Sequence, residues 1–359
     1  MRHVSMSGQE RVNRMFRRQD QDSVPRNENF WDETVARWRT EGMDIDPNLY
    51  LGNDFHGLNW SQAEVYPDRH ERIAEDETTE TFFNVWGETV KYWKGRSGTP
   101  EHHGWPCPDR EAWDREVRPL MVNGSPQVNL DSVRNELALA RRNGRWAHLT
   151  GIETFELTRH LMGDETTMIA MALEPDWVVD VSRVCTDAIL RDFQAVADAG
   201  IEFDGVWIYG DMAYRRGTLC SPTMYKELVW PDHQRLAQWA HDHSVPFIFH
   251  TDGDINGVID LYIDAGFDCL QPLEVKAQMD VRELAPKYGD RLALFGNVDV
   301  MVMGTNDRDL IEAEVRSKLA AGMATRGYAY HSDHSVPPSV SWETFKFIVD
   351  LVDQYGNYT

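Results

Sequence analysis

The chain is poor in cysteine and in long apolar stretches. Its 359 residues include four cysteines, at positions 107, 185, 220 and 269, and no two of them form the C-x-x-C spacing of a zinc ribbon or a thioredoxin-type site. Widely spaced cysteines in a long chain are typical of a reducing compartment. No apolar run approaches the roughly 18 residues that a membrane helix needs, and residues 1–22 contain no apolar signal-peptide core. We therefore expect a cytoplasmic protein without a membrane segment.

Positive charge is also scarce. Lysine and arginine together number 36 against 59 aspartates and glutamates, which gives a formal net charge of −23. A surface of this kind repels nucleic acid and anionic membranes, so we expect neither as a partner. A highly anionic small molecule would bind only if the chain built a local basic pocket for it.

The sequence contains no G-x-G-x-x-G segment after a strand and no internal repeat at a solenoid period. From Trp146 onward it shows predicted strands that alternate with amphipathic helices at least six times, and most of these helices end near a glycine. The predicted strands are "WAHLTGIETFE", "FDGVWIYGDM", "VPFIFHTDGD", "FDCLQPLE", "LALFGNVDV" and "YAYHSDHSV".

Alternation of this kind predicts a parallel sheet with crossover helices. Six visible units, with two more hidden in the N-terminal third, would close a (β/α)8 TIM barrel. We therefore predict a single barrel domain over residues 1–359, with an irregular N-terminal extension and strand–helix repeats that are clearest from 146 to 356. An open, doubly wound sheet is the alternative, and the missing glycine motif disfavours it.

Ionisable and amide side chains follow nearly every predicted strand, where a barrel carries its functional residues. They are Glu153, Glu156, Asp211, His250, Asp252, Glu274, Asn297, Asp299 and His334. In a strand, residues i and i+2 share a face. This period predicts three inward-facing sets: Ile248, His250 and Asp252; Leu270, Pro272 and Glu274; Tyr330, Ser332 and His334.

Four of these side chains form a reasonable metal site. His250, Asp252, Glu274 and His334 supply the nitrogen and oxygen donors that suit zinc or another divalent cation. The alternative is an acid–base and hydrogen-bonding cluster without a metal. Asp211 is predicted to centre a polar site, because the whole segment "GDMAYRRGTLCSPTMY" follows from it.

The chain resembles the uroporphyrinogen decarboxylase superfamily. The resemblance is carried, in order, by "GIETFE", "DMAYRRGTLCSPTMYKELVWP", "FIFHTDGDI", "FDCLQPLE", "ALFGNVD" and "HSDHSVPPSVSWETF", and more weakly by "ERVNRMFRRQDQDSVP". It implies a (β/α)8 barrel and two main chemistries. Decarboxylases of the superfamily work without a metal and bind their tetrapyrrole through an arginine-rich N-terminal segment, whereas this chain has "SVPRNENFWDETVARW" in that region.

The other branch comprises corrinoid-linked methyltransferases, which hold zinc with an H-x-C pair and a late cysteine. By position, the pair falls on His250 and Asp252, and the late cysteine falls on His334. Both thiolates are thus replaced by oxygen and nitrogen donors, which favour a Lewis acid acting on an ether oxygen or an amine over activation of a thiol.

The resemblance therefore implies a metal-dependent methyltransferase or demethylase. It would move a methyl group from an O- or N-methylated small molecule to a corrinoid on a separate protein, since the chain has no corrinoid-binding D-x-H-x-x-G motif. A homodimer is also implied. The residues expected to act in catalysis are Asp211, Glu156 and His334, and those expected to contact substrate are Glu153, Tyr214, Arg215 and Asn297.

Two alternatives remain open from the sequence. One is a metal-free decarboxylase or lyase on a small carboxylic acid, with Asp211 and His334 as acid and base and with Arg215, Arg216 or Arg326 holding the carboxylate. The other is a non-enzymatic binding protein on a barrel scaffold, which the density of ionisable groups at the strand ends disfavours.

Overall fold

A computed structural model describes residues 6–67 and 69–358. Along these residues the strands are β1 (Phe55–Gly57), β2 (Glu71–Glu75), β3 (Thr79–Phe83), β4 (Thr89–Trp93), β5 (Glu101–Gly104), β6 (Trp146–Ile152), β7 (Gly205–Tyr209), β8 (Ala213–Tyr214), β9 (Gly217–Thr218), β10 (Phe247–Thr251), β11 (Cys269–Pro272), β12 (Ala293–Phe295) and β13 (Tyr328–Ala329).

The α-helices alternate with these strands from β6 onward. They are α1 (Gly8–Phe16), α2 (Asp32–Thr40), α3 (Pro47–Leu51), α4 (Arg110–Ala112), α5 (Arg118–Val122), α6 (Leu130–Arg142), α7 (Thr154–Met162), α8 (Asp164–Leu173), α9 (Pro175–Asp198), α10 (Pro222–Leu228), α11 (Trp230–Asp242), α12 (Ile259–Ala265), α13 (Val281–Tyr288), α14 (Val300–Met303), α15 (Arg308–Met323) and α16 (Trp342–Tyr355). A π-helical turn (Trp113–Val117) and a 3-10 turn (Val275–Ala277) complete the helical structure. None of the helices within the described ranges is long and apolar enough to cross a membrane.

Seven strands form one parallel sheet in the order β1-β6-β7-β10-β11-β12-β13. The eighth position is filled by an extended segment near Arg26. Tyr330 N donates to Pro25 O (2.7 Å) and Asn27 N donates to Tyr330 O (3.0 Å), while Asp54 N donates to Arg26 O (2.9 Å). This segment joins β13 to the start of β1, so the ring closes. The predicted (β/α)8 barrel is confirmed, and the two hidden units are this segment and β1.

The barrel interior holds every second side chain of the strands. An apolar layer inside the ring contains Phe55, Trp146, Trp207, Ile248, Cys269, Ala293, Phe295 and Ala329. The alternate side chains, such as Leu149, Phe249 and Leu270, pack against the surrounding helices. The predicted inward position of Ile248 is confirmed, but Leu270 and Tyr330 face outward. Alternation along a strand separates its side chains into two faces but does not show which face lies inside the barrel. In β11 and β13 the inner face is the one that carries Cys269 and Ala329.

The segment between β1 and β6 explains why the N-terminal third looked irregular. It carries a four-stranded antiparallel sheet in the order β2-β3-β4-β5, and α6 then leads back into β6. Thr99, at the turn between β4 and β5, lines the large cavity of the barrel, so this inserted sheet borders the site.

Helix α1 closes the amino end of the barrel. Val12 and Met15 pack against the apolar interior layer. On the same helix, Arg11 is buried and donates to Asp54 Oδ1 (2.6 Å) and to Asp22 Oδ1 (2.8 Å). Burial raises the pKa of Asp54, and the nearby Arg11 opposes that shift. Arg11 therefore neutralises the buried Asp54 carboxylate beside the seam that joins the Arg26 segment to β1.

Removing this guanidinium should destabilise the protein strongly, because Asp54 would stay buried without its partner. We expect Arg11→Ala to lower the free energy of unfolding by about 3–5 kcal/mol, as measured by urea denaturation. Arg14→Ala is the matched control on the same helix, since Arg14 pairs with Glu10 near the surface and such pairs are worth about 0–1 kcal/mol. Equal effects of the two substitutions would contradict this account of the barrel closure.

Candidate functional site

A cavity of about 670 Å³ opens at the carboxyl ends of the barrel strands. Above the apolar layer, the interior positions change to polar side chains. His148 of β6, Tyr209 of β7, His250 of β10, Gln271 of β11 and His331, which follows β13, all line this cavity. We call these five residues the polar layer. It marks the depth at which the packed barrel interior gives way to a space that can hold a ligand.

Three ligand-bearing side chains converge at one side of the cavity. Asp211, His250 and Asp252 each offer one oxygen or nitrogen atom, and these atoms lie within 4.8 Å of one another. Asp211 follows β7 and Asp252 follows β10, which are neighbours in the sheet. We call these three residues the mouth cluster. Parallel pairing of the two strands is what brings positions 41 residues apart in the chain into contact.

Hydrogen bonds hold the members of the mouth cluster in place. Asp252 N donates to Asp211 Oδ1 at 3.0 Å, and the Tyr209 hydroxyl donates to Asp211 Oδ2 at 3.3 Å. His250 Nδ1 lies 2.5 Å from Gln271 Oε1. Because the amide oxygen accepts, Nδ1 carries the proton and Nε2 keeps its lone pair. An outer hydrogen bond of this kind commonly orients a histidine that binds a metal.

The mouth cluster fits a divalent cation. Asp252 Oδ1 is buried and has no hydrogen-bond partner among the residues that the structure describes, so one carboxylate oxygen is left for a ligand. His334 Nε2 lies 3.7 Å from Asp252 Oδ2 and the His334 ring also lines the cavity. One imidazole with two carboxylates, and a second imidazole beside them, is a donor set that suits zinc and harder divalent metals.

Electrostatics within the mouth cluster also favour a cation. Burial raises the pKa of Asp211, and the charges of Asp252 and Glu156 raise it further, while His250 opposes the shift. Three carboxylates thus crowd one partly dry corner of the barrel. A bound cation would relieve their mutual repulsion.

Glu274, which we predicted as a fourth metal ligand, lies elsewhere. One of its oxygens accepts from Gly253 N (2.9 Å) and the other contacts Lys276 Nζ (2.7 Å), and among the described residues it does not line the cavity. Gly253 adopts a φ of +91°, which glycine adopts without steric cost. Glu274 therefore holds the turn that carries Asp252, and Asp211 takes the place in the cluster that we had assigned to Glu274.

The two glutamates after β6 lie behind the cavity wall. Glu156 Oε2 accepts from Asp211 N (3.0 Å) and contacts Arg159, so it positions the Asp211 backbone. Glu153 caps helix α7 by accepting from the backbone amides of Phe155 and Glu156, and it pairs with the buried His233. Within the described residues neither glutamate lines the cavity, so we withdraw the substrate contact for Glu153 and the direct catalytic role for Glu156.

The remaining predicted substrate residues also point away from the cavity. Tyr214 and Arg215 lie on the exposed β8–β9 hairpin, where Arg215 Nε donates to Lys276 O at 3.2 Å. Asn297 is buried and links Val281 N and Lys318 Nζ through its side-chain oxygen. It therefore supports the barrel wall. A position after a strand does not by itself identify a substrate-binding residue, because polar side chains at such positions also cap helices and connect loops.

The sequence interpretation missed His331 and His148. Burial lowers the pKa of His331 to about 4 and that of His148 to about 3, so both rings are neutral near pH 7. His331 Nδ1 lies 2.6 Å from Ser332 O, and Nε2 of His331 and Nδ1 of His148 find no hydrogen-bond partner within the described part of the chain. The period of two residues along a strand could have located His331. Because Cys269 and Ala329 face the barrel interior, Gln271 and His331, two residues further on, face it as well.

Relatives of the chain are distant in sequence. Over 209 residues it is 23% identical to the uroporphyrinogen decarboxylase of Chlorobium phaeobacteroides, a match that covers 57% of this chain and 54% of that protein. The chain thus spans about half the length of that curated relative. Among solved structures, a methyltransferase from Methanosarcina mazei has the same fold, with a TM-score of 0.67 and 16% identity over 98% of this chain and 99% of the other.

The family itself is shown by a second comparison. The sequence pattern of the uroporphyrinogen decarboxylase (URO-D) family matches residues 149–355, which run from within β6 to the end of α16 and include the whole mouth cluster. Because this segment is more than half of the chain, the protein belongs to the uroporphyrinogen decarboxylase family.

Proposed function

We propose that this protein is a metal-dependent methyltransferase, which removes a methyl group from an O- or N-methylated small molecule and passes it to a corrinoid carried by a separate protein. The observation that carries the proposal is the mouth cluster: Asp211, His250 and Asp252 converge within 4.8 Å, and a buried oxygen of Asp252 lacks a partner among the described residues. Membership of the family and the fold shared with a Methanosarcina mazei methyltransferase support it.

The donors of the mouth cluster define the chemistry available. His250 and Asp252 would be the first ligands, with Asp211 and His334 completing the set. When bound, zinc or another divalent cation would supply Lewis acidity toward an ether oxygen or an amine nitrogen. Since the set contains no thiolate, it is better suited to oxygen and nitrogen substrates than to a thiol.

The protein side chains would position the substrate and handle the proton. Gln271 holds the His250 ring, and Tyr209 and the Asp252 amide hold the Asp211 carboxylate. His334 lines the cavity beside Trp31, with ring centroids 5.7 Å apart. When Asp211, His250 and Asp252 alone hold the metal, His334 is left to donate a proton to the demethylated oxygen or nitrogen. Trp60, Trp207 and Phe55 add apolar surface to the same cavity, which would exclude water from around the methyl group.

The charges around the cavity disfavour decarboxylation of a polycarboxylic substrate. Arg145 is the single arginine or lysine lining the cavity among the described residues. Arg26, in the segment that corresponds to the arginine-rich region of decarboxylases, donates instead to Asp353 Oδ1 at 2.7 Å. Arg326 pairs with Asp20, and Arg215 lies on the exposed hairpin. A lyase acting on a small acid would therefore depend on Arg145 alone.

Metal content tests the site directly. We expect protein purified without added metal to lose about one equivalent of divalent metal on His250→Ala or Asp252→Asn, because each change removes a donor from a three- or four-ligand site. Plasma mass spectrometry of the purified variants measures this. Asp254→Asn is the matched control, since Asp254 binds the Asn256 amide in the same loop and should leave the metal content unchanged. Wild-type metal content in Asp252→Asn would contradict the proposed site.

Activity tests the reaction. With cob(I)alamin as methyl acceptor and a panel of methylated aromatics and amines, we expect Asp211→Asn to lower kcat by roughly 10²–10⁴-fold, because it weakens both the ligand set and the proton handling. Arg215→Ala should change kcat little, since its side chain lies outside the cavity. Turnover that needs no corrinoid would contradict the proposed reaction, and release of carbon dioxide from a small acid that depends on Arg145 would instead identify a lyase.

A further inference from the structure

A second group of ligand-bearing side chains lies where the inserted sheet meets the barrel. Glu88, His102 and His160 each offer one atom, and these atoms lie within 4.8 Å of one another. His160 Nδ1 is 3.0 Å from Glu88 Oε2, and His102 Nδ1 contacts Glu88 Oε1. We call these three residues the sheet–barrel cluster. None of them lines the large cavity among the described residues.

The three side chains come from three separate elements. Glu88 directly precedes β4, His102 lies on β5 and His160 lies on α7. The turn before Glu88 is held by Asn84, whose side-chain oxygen accepts from the amides of Trp86 (3.1 Å) and Glu88 (3.0 Å). The cluster thus depends on local turn geometry on one side and on packing of the sheet against the barrel on the other.

Two of the three donors, Glu88 and His160, also have an outer partner of the type that orients metal ligands. Asn84 Nδ2 donates to Glu88 Oε2 at 3.0 Å. His160 Nε2 faces Glu156 Oε1 at 3.5 Å, and the indole of Trp86 stacks on the His160 ring at 4.1 Å between centroids. When the single ring proton of His160 sits on Nε2, toward Glu156, the lone pair of Nδ1 faces Glu88 and is available to bind a cation.

We propose that Glu88, His102 and His160 bind a divalent metal ion of the zinc class at a second site, separate from the mouth cluster. Two imidazoles and one carboxylate are a recognised zinc donor set, and here they arise from residues far apart in sequence. The site is independent of the proposed methyl transfer, because it shares no ligand with the mouth cluster.

Electrostatics are consistent with a charged carboxylate at this site. Although burial opposes it, hydrogen bonds from His102 and His160 lower the pKa of Glu88 to about 2. Burial opposes protonation of His160, but Glu156 and Glu88 outweigh it and raise the pKa of His160 to about 9. A metal ion must therefore displace a proton from His160, and metal binding at this site competes with an imidazolium held between two carboxylates.

A metal at this position would fasten the inserted sheet to helix α7. The same sheet carries the β4–β5 turn, in which Thr99 lines the cavity and Ser97 contacts Glu33 of α2. Glu156 connects the two sites, since one of its oxygens faces His160 and the other accepts from the Asp211 amide. The second metal would therefore act as a structural clamp at one border of the cavity.

Zinc titration of the chelator-treated full-length protein tests this proposal. We expect His102→Ala and Glu88→Gln each to weaken zinc binding at one site by at least about 100-fold, while the binding that depends on His250 stays unchanged. His103→Ala is the matched control, because His103 neighbours His102 on β5 but lies on the exposed side beside Glu101. Elution from gel filtration as for wild type shows that a variant is folded.

Trypsin supplies a second readout. Zinc should slow cleavage after Lys94 and Arg96 in wild type and in His250→Ala, and should fail to do so in His102→Ala. Wild-type zinc affinity and stoichiometry in both His102→Ala and Glu88→Gln would overturn the second site and leave the imidazolium network in its place. Zinc binding that is sensitive to His102 but indifferent to His250 would instead overturn the metal at the mouth cluster and keep this one.

Discussion

Closure of eight parallel chain segments into a ring is the constraint on which the rest of the structure depends. It divides the strand side chains into an inner and an outer set, and it directs all the carboxyl ends toward one face. The last seam is made by the segment around Arg26, and the Arg11–Asp54 pair neutralises the charge buried beside it. The inner set then changes from apolar to polar within one step along the strands, which creates the floor of the cavity.

Carboxylate crowding is the main electrostatic feature of that cavity. Asp211, Asp252 and Glu156 lie close together in a partly buried corner, and His250, His160 and Arg159 are among the nearby groups that balance their charge. Imidazoles also balance a buried carboxylate at the sheet–barrel cluster, where His102 and His160 contact Glu88. Glu156 contacts both arrangements through a single side chain of α7, and it is a proposed ligand in neither.

Placement of the functional groups follows from loops that the barrel holds rigid. The turn at Gly253 carries Asp252 and is tied to Glu274, and the loop after β7 carries Asp211 and is tied to Glu156. Both glutamates therefore act by positioning an aspartate. Acidic residues therefore follow many strands although few of them reach the cavity, because some line it and others hold the loops in place.

The sequence by itself determined the barrel and two of the three ligands in the mouth cluster. Amphipathic periodicity, glycine stops and the H-x-D pair after an apolar run are local signals. They correctly located β6, β7 and β10 to β13, the helices α9 to α13, α15 and α16, and His250 with Asp252 beside the cavity. They did not predict the β8–β9 hairpin, and the strand predicted over residues 146–156 includes the start of α7. Only the tertiary structure decided which face of β11 and β13 lies inside the barrel, and therefore that His331 faces inward. It also decided that Asp211, and not Glu274, joins His250 and Asp252 in the mouth cluster. It also brought Glu88, His102 and His160 together. These outcomes depend on contacts between residues tens to hundreds of positions apart, because the side on which a strand faces the ring is set by its neighbours in the sheet and not by its own alternation.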